Sequence, residues 1–439
     1  MTNQTAQATC CIVGGGPSGM MLGYLLARQN VSVIVLEKHR DFNRDFRGDT
    51  VHPSTLELLG ELGLLEEFLR LPHQRLSSIS GIVGDFVFQG PDFRHVGTRC
   101  KFVALIPQWD LLNFLASKAQ RFSGFELLME HEAVDLVTSG ERVSGVKVRS
   151  PEGVGEIRAD LVVACDGRHS KMRQSGAFKV QELGVPIDVL WFRISRQPDD
   201  PEELLGNVNY GSALVMINRG DYFQAGLIIR KGSFEDLKRS GIPSFQSHIR
   251  RIAPYLGERT KEIQDWDQVK LLSIQINRLE RWYRPGLLCI GDAAHAMSPV
   301  GGVGINLAIQ DSVAAANLLA GPLRERAVSE RVLARVQRRR EFPTRVTQAL
   351  QVNAHKALQT VFRSQGPMQA PWQLRAFSCV PGLPRLLARI IGIGIRPEHI
   401  QDATRPKAES RPWIPIAAGV AVIACGFLLA KTRGRGGRA

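Results

Sequence analysis

The stretch that most restricts this chain lies near its start. A fully apolar run, Ala8–Val13, enters a glycine cluster, Gly14-Gly15-Gly16-Pro17-Ser18-Gly19, followed by a helical stretch from about Pro17 to Gln29. A second β-branched run, Val31–Leu36, comes next, and the whole reads as a βαβ unit. The glycines have separate jobs in such a unit. Gly14 permits the tight turn, Gly16 lets backbone approach a pyrophosphate, and Gly19 lets the helix pack close to the sheet. The amides and dipole of the helix start favour phosphate. Glu37 closes the second strand, where an acid binds a ribose hydroxyl.

Two later stretches have related chemistry. In the first, the apolar run from Asp160 ends at Asp166-Gly167 and is followed by Arg168, His169, Ser170 and Arg173. Alone, this is common strand-to-helix punctuation. In the second, a strand ends at Gly291-Asp292, and Pro299, Gly301, Gly302, Gly304 and Asn306 follow. A strand ending in Gly-Asp aims the Asp292 carboxylate into the crevice beyond the sheet, where ligands bind in such folds. The glycines allow backbone to lie against a flat ring. The helix beginning near Ile305 points its positive end at that ring.

Between these stretches the texture changes. From about Ser77 to Lys101, and again from Glu182 to Ser273, short alternating segments such as Ile187–Ile194 and Phe223–Ile229 are separated by turn residues. That pattern predicts an antiparallel sheet inserted into an α/β frame. Ser54–Leu71 and Trp109–Arg121 have helical periods, and arginine-rich helix runs on to about Gly366.

The three signatures, in this order, resemble the class A FAD-dependent monooxygenases, the para-hydroxybenzoate hydroxylase and ubiquinone-pathway hydroxylase group, over about residues 8 to 330. The resemblance implies an α/β fold: a Rossmann-type FAD-binding domain with an inserted antiparallel β-sheet substrate domain and a C-terminal helical region. The expected division is 1–76, 102–181 and 275–330 for FAD binding, 77–101 and 182–274 for the substrate sheet, and 331–401 for the helical region. Gly14, Gly16, Gly19 and Glu37 would then hold the ADP half of FAD. Asp292 would hold the ribityl chain, and Gly301, Gly302 and Gly304 would lie along the isoalloxazine. Asp166 and Gly167 would serve both FAD and the nicotinamide nucleotide. Arg47 and Gln108 would add flavin contacts, and Pro299 would line the substrate side of the ring.

The implied reaction uses NAD(P)H and O2. A flavin C4a-hydroperoxide delivers one oxygen to an aromatic or olefinic carbon, by hydroxylation or epoxidation. No metal is required. Protein residues orient the acceptor and exclude water. The catalytic acid or base is unassigned. His52, His73 and His295 are candidates, and Trp191, Phe192, Tyr210, Tyr222 and Phe223 lie in segments expected to floor the pocket or fill the core.

The formal charge of +14 gathers on no nucleic-acid module and suits anionic lipid better. Seven cysteines without a CxxC pair argue against a disulfide framework or zinc site and point to a cytoplasmic catalytic domain. After a polar linker at 402–412, residues 413–430 carry no charge and would span about 27 Å as a helix, near the thickness of a bilayer core. A basic tail, 431–439, follows. This segment is expected to be a transmembrane helix, with docking on the catalytic body or a homodimer contact as alternatives. Membrane lipid contact would suit a lipophilic substrate such as a prenylated quinone precursor, a quinolone or a polyketide. Two rival functions remain: an FAD-dependent reductase of a prenyl or polyene chain, and a non-catalytic nucleotide-binding membrane scaffold. A halogenase is disfavoured because no WxWxIP run occurs.

Overall fold

The apolar runs at the start of the chain pair as the centre of a parallel sheet. In the computed structural model, which describes residues 5–43, 50–201, 204–364 and 366–401, strand Thr5–Val13 lies between Val33–Glu37 and Gly153–Ala164. Leu287–Cys289 and Phe125–Met129 extend the parallel set on either side. Strands covered on both faces need near-continuous apolar side chains, and Cys10, Ile12, Val35, Leu161 and Leu288 are fully buried. Helices Pro17–Arg28 and Gly304–Arg324 pack on each other and on the first strand.

Register places the chemistry. Val13 pairs with both Leu36 and Ala164, and Ala164 pairs with Cys289. The loops that follow these residues therefore leave the sheet side by side at its carboxyl edge. That edge is where an open α/β sheet binds its ligand.

A second sheet of seven strands runs Lys270–Ser273, Ile187–Ser195, Tyr222–Arg230, Ser212–Asn218, Leu204–Asn209, Ser78–Val83 and Phe86–Asp92. It is antiparallel except where Leu204–Asn209 meets Ser78–Val83 in parallel. Its alternation divides the faces: Leu190, Phe192 and Ile194 join a core beneath helix Ile242–Ile252, while Val189 and Trp191 face the other way. Gly226 lies opposite Trp191, and its missing side chain makes room for the indole.

The single helical period expected over Ser54–Leu71 is instead two helices, Pro53–Glu61 and Leu65–Phe68. Gly63, at φ +72°, supplies the left-handed turn that stops the first. Helix Glu330–Val361 packs along Gly304–Arg324. Among the described residues one helix is long and apolar enough to cross a membrane, Val300–Arg324, and 67% of its apolar window is buried inside the fold. It is the core helix of the catalytic body. The 413–430 segment, its linker and the basic tail lie outside the described residues.

Candidate active site

The carboxyl edge of the parallel sheet and the inner face of the second sheet enclose one continuous cavity of about 1990 Å³. Gly14, Gly16 and Glu37 line it at one end, and Asp166, Gly167 and Asp292 line its middle. Pro299, Gly301, Gly302, Gly304 and Gln108 also line it. Arg47 lies outside the described residues.

At the first turn Gly14 has φ +106°, and a Cβ there would lie 2.5 Å from the Cys165 carbonyl oxygen. Gly16 is the N-cap of helix Pro17–Arg28 and offers that helix no side-chain acceptor. A Cβ on Gly16 would meet nothing within 4 Å. The helix start is thus left bare toward the cavity, as an incoming anion requires. The Glu37 carboxylate accepts from the Gly15 and His39 amides, each at 3.1 Å, and is fixed at the mouth of the turn. Gly19 does not reach the cavity. A Cβ there would sit 1.9 Å from the Gly14 carbonyl oxygen, so Gly19 serves only the close packing of helix under turn.

In the middle of the cavity, Asp292 faces Arg168 at 4.0 Å. The Asp166 Oδ2 accepts from the Met172 amide at 3.2 Å, while its Oδ1 is buried without a partner among the described residues. Burial pushes its carboxyl above the usual range. An unpartnered acceptor on a cavity wall fits a donor brought in by a ligand. At the far side, Gly301 and Gly302 have φ +82° and +63°. A Cβ on Gly302 would lie 2.4 Å from the Thr50 hydroxyl, which itself donates to the Gly302 carbonyl at 2.9 Å. Helix Gly304–Arg324 starts here with no acid in its first turn, leaving its positive end uncompensated.

Bare helix starts at both ends, an unpartnered acceptor and glycine-opened backbone suit an extended dinucleotide. FAD matches that outline.

The structure gives roles to residues that the sequence motifs leave without one. Asp311, fully buried, accepts from the Gly291 amide at 3.1 Å and from Arg340 Nε at 2.9 Å, and lies 2.5 Å from His295 Nε2. Burial opposes its charge, but His295 and Arg340 outweigh burial and hold its carboxyl below the usual range. It fixes the turn that presents Asp292. A lone acid inside the apolar run Ile305–Leu319 was a usable signal, because a buried carboxylate needs a partner. Asn306 clamps the glycine loop: its Oδ1 accepts from the His52 amide and the Thr55 hydroxyl, and its Nδ2 donates to the Thr50 and Gly302 carbonyls. Gln351 holds Ser298 by both its amide and its carbonyl, and Ser298 Oγ lies 2.9 Å from His355 Nε2.

Of the three histidine candidates only His52 lines the cavity. Its Nδ1 is bound to the Ile391 carbonyl at 2.8 Å. Burial pushes it down to about 4, and the carbonyl offsets this only in part. His295 belongs to the Asp311 cluster, and His73 bonds the Leu71 carbonyl outside the cavity. Of the five aromatic candidates only Trp191 lines the cavity. Phe192 and Phe223 pack in the opposite core, while Tyr222 and Tyr210 lie under Arg193 and Arg251.

His52 and His355 are both held neutral, at about 4, by burial. The unfolded chain takes up their protons near pH 6.5, whereas the folded chain resists until about 4. Their contribution is complete above pH 6.5 and is lost as pH falls toward 4. Urea unfolding at pH 7 and pH 5 is expected to show stability falling by roughly 1 kcal/mol per pH unit for each histidine. His52→Gln and His355→Gln should each flatten that slope, and an unchanged slope in both would contradict the assignment.

A family model described as "FAD binding domain" matches residues 7–350. The chain is 30% identical over 397 residues to 6-methylpretetramide 4-monooxygenase of Streptomyces rimosus, covering 88% of this chain and 92% of that relative. It is 27% identical over 312 residues to rifampicin monooxygenase of Streptomyces venezuelae, covering 69% of this chain and 61% of that relative. Among solved structures, P. aeruginosa PqsL in complex with 2-aminobenzoylacetate superposes with a TM-score of 0.71 at 22% identity, over 81% of this chain and 98% of that one. The OxyS anhydrotetracycline hydroxylase of Streptomyces rimosus gives 0.71 at 21%, over 92% and 78%. Together with the three loops gathered on one cavity, these likenesses identify the chain as a member of the class A FAD-dependent monooxygenases.

Proposed function

We propose that this enzyme inserts one oxygen atom into a broad, lipophilic aromatic or polyketide-type substrate seated between the glycine loop and the second sheet. The cavity carries this reading. Single small-molecule pockets run roughly 300–1,000 Å³, and about 1990 Å³ leaves room for two occupants end to end. The wall beyond the glycine loop is formed by Val189, Trp191, Val215, Ile217 and Ile228, which suits a flat apolar body. Relatives named for 6-methylpretetramide and rifampicin support that class of acceptor.

In this reading Gly14, Gly16 and Glu37 take the ADP half, Asp292 the ribityl chain, and Gly301, Gly302 and Gly304 the ring. Asp166, Gly167 and Gln108 add cofactor contacts, and Pro299 faces the substrate. FAD held there would supply the capacity to take hydride from NAD(P)H and to activate O2. The bare start of helix Gly304–Arg324 stabilises negative charge beside the ring. Asn306 and Thr50 hold the glycine loop rigid, and the apolar sheet wall keeps water from the reacting atoms. His52 is too weak a base at neutral pH for acceptor activation, and its ring is a positioning group.

Purified protein is expected to be yellow and to oxidise NAD(P)H faster when an aromatic polyketide or alkylated quinolone is added. O2 uptake should match, and the product should be heavier by one oxygen. Turnover that reduces a double bond without O2 would instead make the chain a reductase. A membrane role for residues 413–430 belongs to the same reading, as a means of keeping the enzyme near an apolar substrate pool.

A further inference from the structure

We infer that the strap closing the wide end of the cavity is a docking face for an anionic lipid bilayer. After helix Glu330–Val361 the chain crosses one end of the second sheet. Phe362 meets Arg230, Ser364 lies against Gly211, Met368 bonds Asn209, and Arg375 meets Asp85. The inner residues of this strap, Met368 and Leu374, line the cavity. Lys356, Gln359, Arg363 and Pro371 both line the cavity and are exposed, so they mark one mouth of it.

The outer side of the strap has an unusual composition. From Phe342 to Pro397 there is no aspartate or glutamate. Arg345, Lys356, Arg363, Arg375, Arg385 and Arg389 are exposed in that interval; Arg345 pairs with Glu341 at 3.8 Å and Arg375 with Asp85 at 3.1 Å, while the other four have no acid partner among the described residues. Among these cations stand Trp372, 66% exposed, and Val380, 44% exposed. One exposed apolar residue needs no explanation. An exposed tryptophan and valine on a stretch rich in exposed arginines, with no acid of its own and Asp85 as an acid neighbour, is the composition that binds a lipid headgroup layer. Anionic headgroups supply the missing countercharge.

The chain beyond supports the same occupant. Gln401 is held by Asn317, and the eleven residues 402–412 reach at most about 40 Å before the uncharged run at 413–430. Docked this way, the cavity mouth opens onto lipid, and an apolar substrate enters without crossing water. That last consequence rests on the proposed substrate class; the docking face itself does not.

Cys379 is a built-in reporter. It is the exposed thiol among the described cysteines and lies between Trp372 and Val380. The full-length protein should be treated with a water-soluble maleimide, with modification at Cys379 read by peptide mass mapping. Vesicles of phosphatidylcholine with about one-third phosphatidylglycerol should slow that reaction about tenfold or more, pure phosphatidylcholine should slow it far less, and Arg385→Glu with Arg389→Glu should remove the protection. Both arginines are exposed, so folding should survive their change. An unchanged Cys379 rate in protein that floats with the vesicles would show an anchor elsewhere and overturn the docking face. So would protein that fails to float and shows no protection. Protection that rises with protein concentration in the absence of vesicles would assign the face to a second copy of the chain and overturn the proposal too. None of these outcomes depends on turnover, so they leave the substrate reading standing or falling separately.

Discussion

Gly16→Asp is expected to yield a protein that folds at least as well as the parent and cannot hold flavin. Gly16 has ordinary extended backbone, φ −73° and ψ −177°, and open space where a Cβ would go, so aspartate enters without strain. As an N-cap it would accept from the first amides of helix Pro17–Arg28 and oppose the helix dipole favourably, adding about 0.5 kcal/mol. The same carboxylate would stand where the pyrophosphate is proposed to bind. Like charges that close cost several kcal/mol, so FAD affinity should fall at least about a hundredfold. Flavin absorbance of the purified variant, FAD titration and the urea midpoint of the flavin-free protein measure the two effects separately. A variant that keeps its flavin at parental affinity would refute the placement of the cofactor.

Asp311→Ala should be the most destabilising single change near the site. It strips Arg340, itself 1% exposed, of its closest carboxylate and leaves that buried guanidinium with the Arg396 carbonyl and Glu398. Breaking a buried pair by removing one partner costs about 3–5 kcal/mol, against a total stability of about 5–15 kcal/mol. The Gly291 amide loses its acceptor at the same time, so the turn presenting Asp292 loosens. Weaker flavin retention should accompany the lower urea midpoint. Asp311→Asn keeps an acceptor for Gly291 and loses the charge, so it should fall between parent and alanine. Equal midpoints for all three proteins would show that the cluster contributes nothing.

The residues proposed for the cofactor half stand out in the sequence because their chemistry is local. A strand, a glycine turn and a helix are adjacent in the chain, so Gly14, Gly16 and Glu37 declare themselves by spacing. Asp292 does so by ending a strand. Gly19 stands out by the same spacing, and in the fold it packs the helix against the turn and lies off the cavity. The substrate half was harder. Period-two alternation shows that Trp191 and Phe192 face opposite ways, but not which face borders the cavity. Tertiary packing of helix Ile242–Ile252 against Phe192 decides that. The parallel join between Leu204–Asn209 and Ser78–Val83 was equally hidden, since pairing direction depends on how two distant segments return.

Sequence alone determined the local elements, a strand, a glycine turn and a bare helix start, because turn geometry and helix dipoles arise within a few residues. Only the tertiary structure decided which buried charges brace them. Asp311 and Arg340 are 29 residues apart, and Asn306 reaches Thr50 across 256. Such pairs form only when the folded core removes water and brings distant groups within bonding distance, a condition that no stretch of sequence contains.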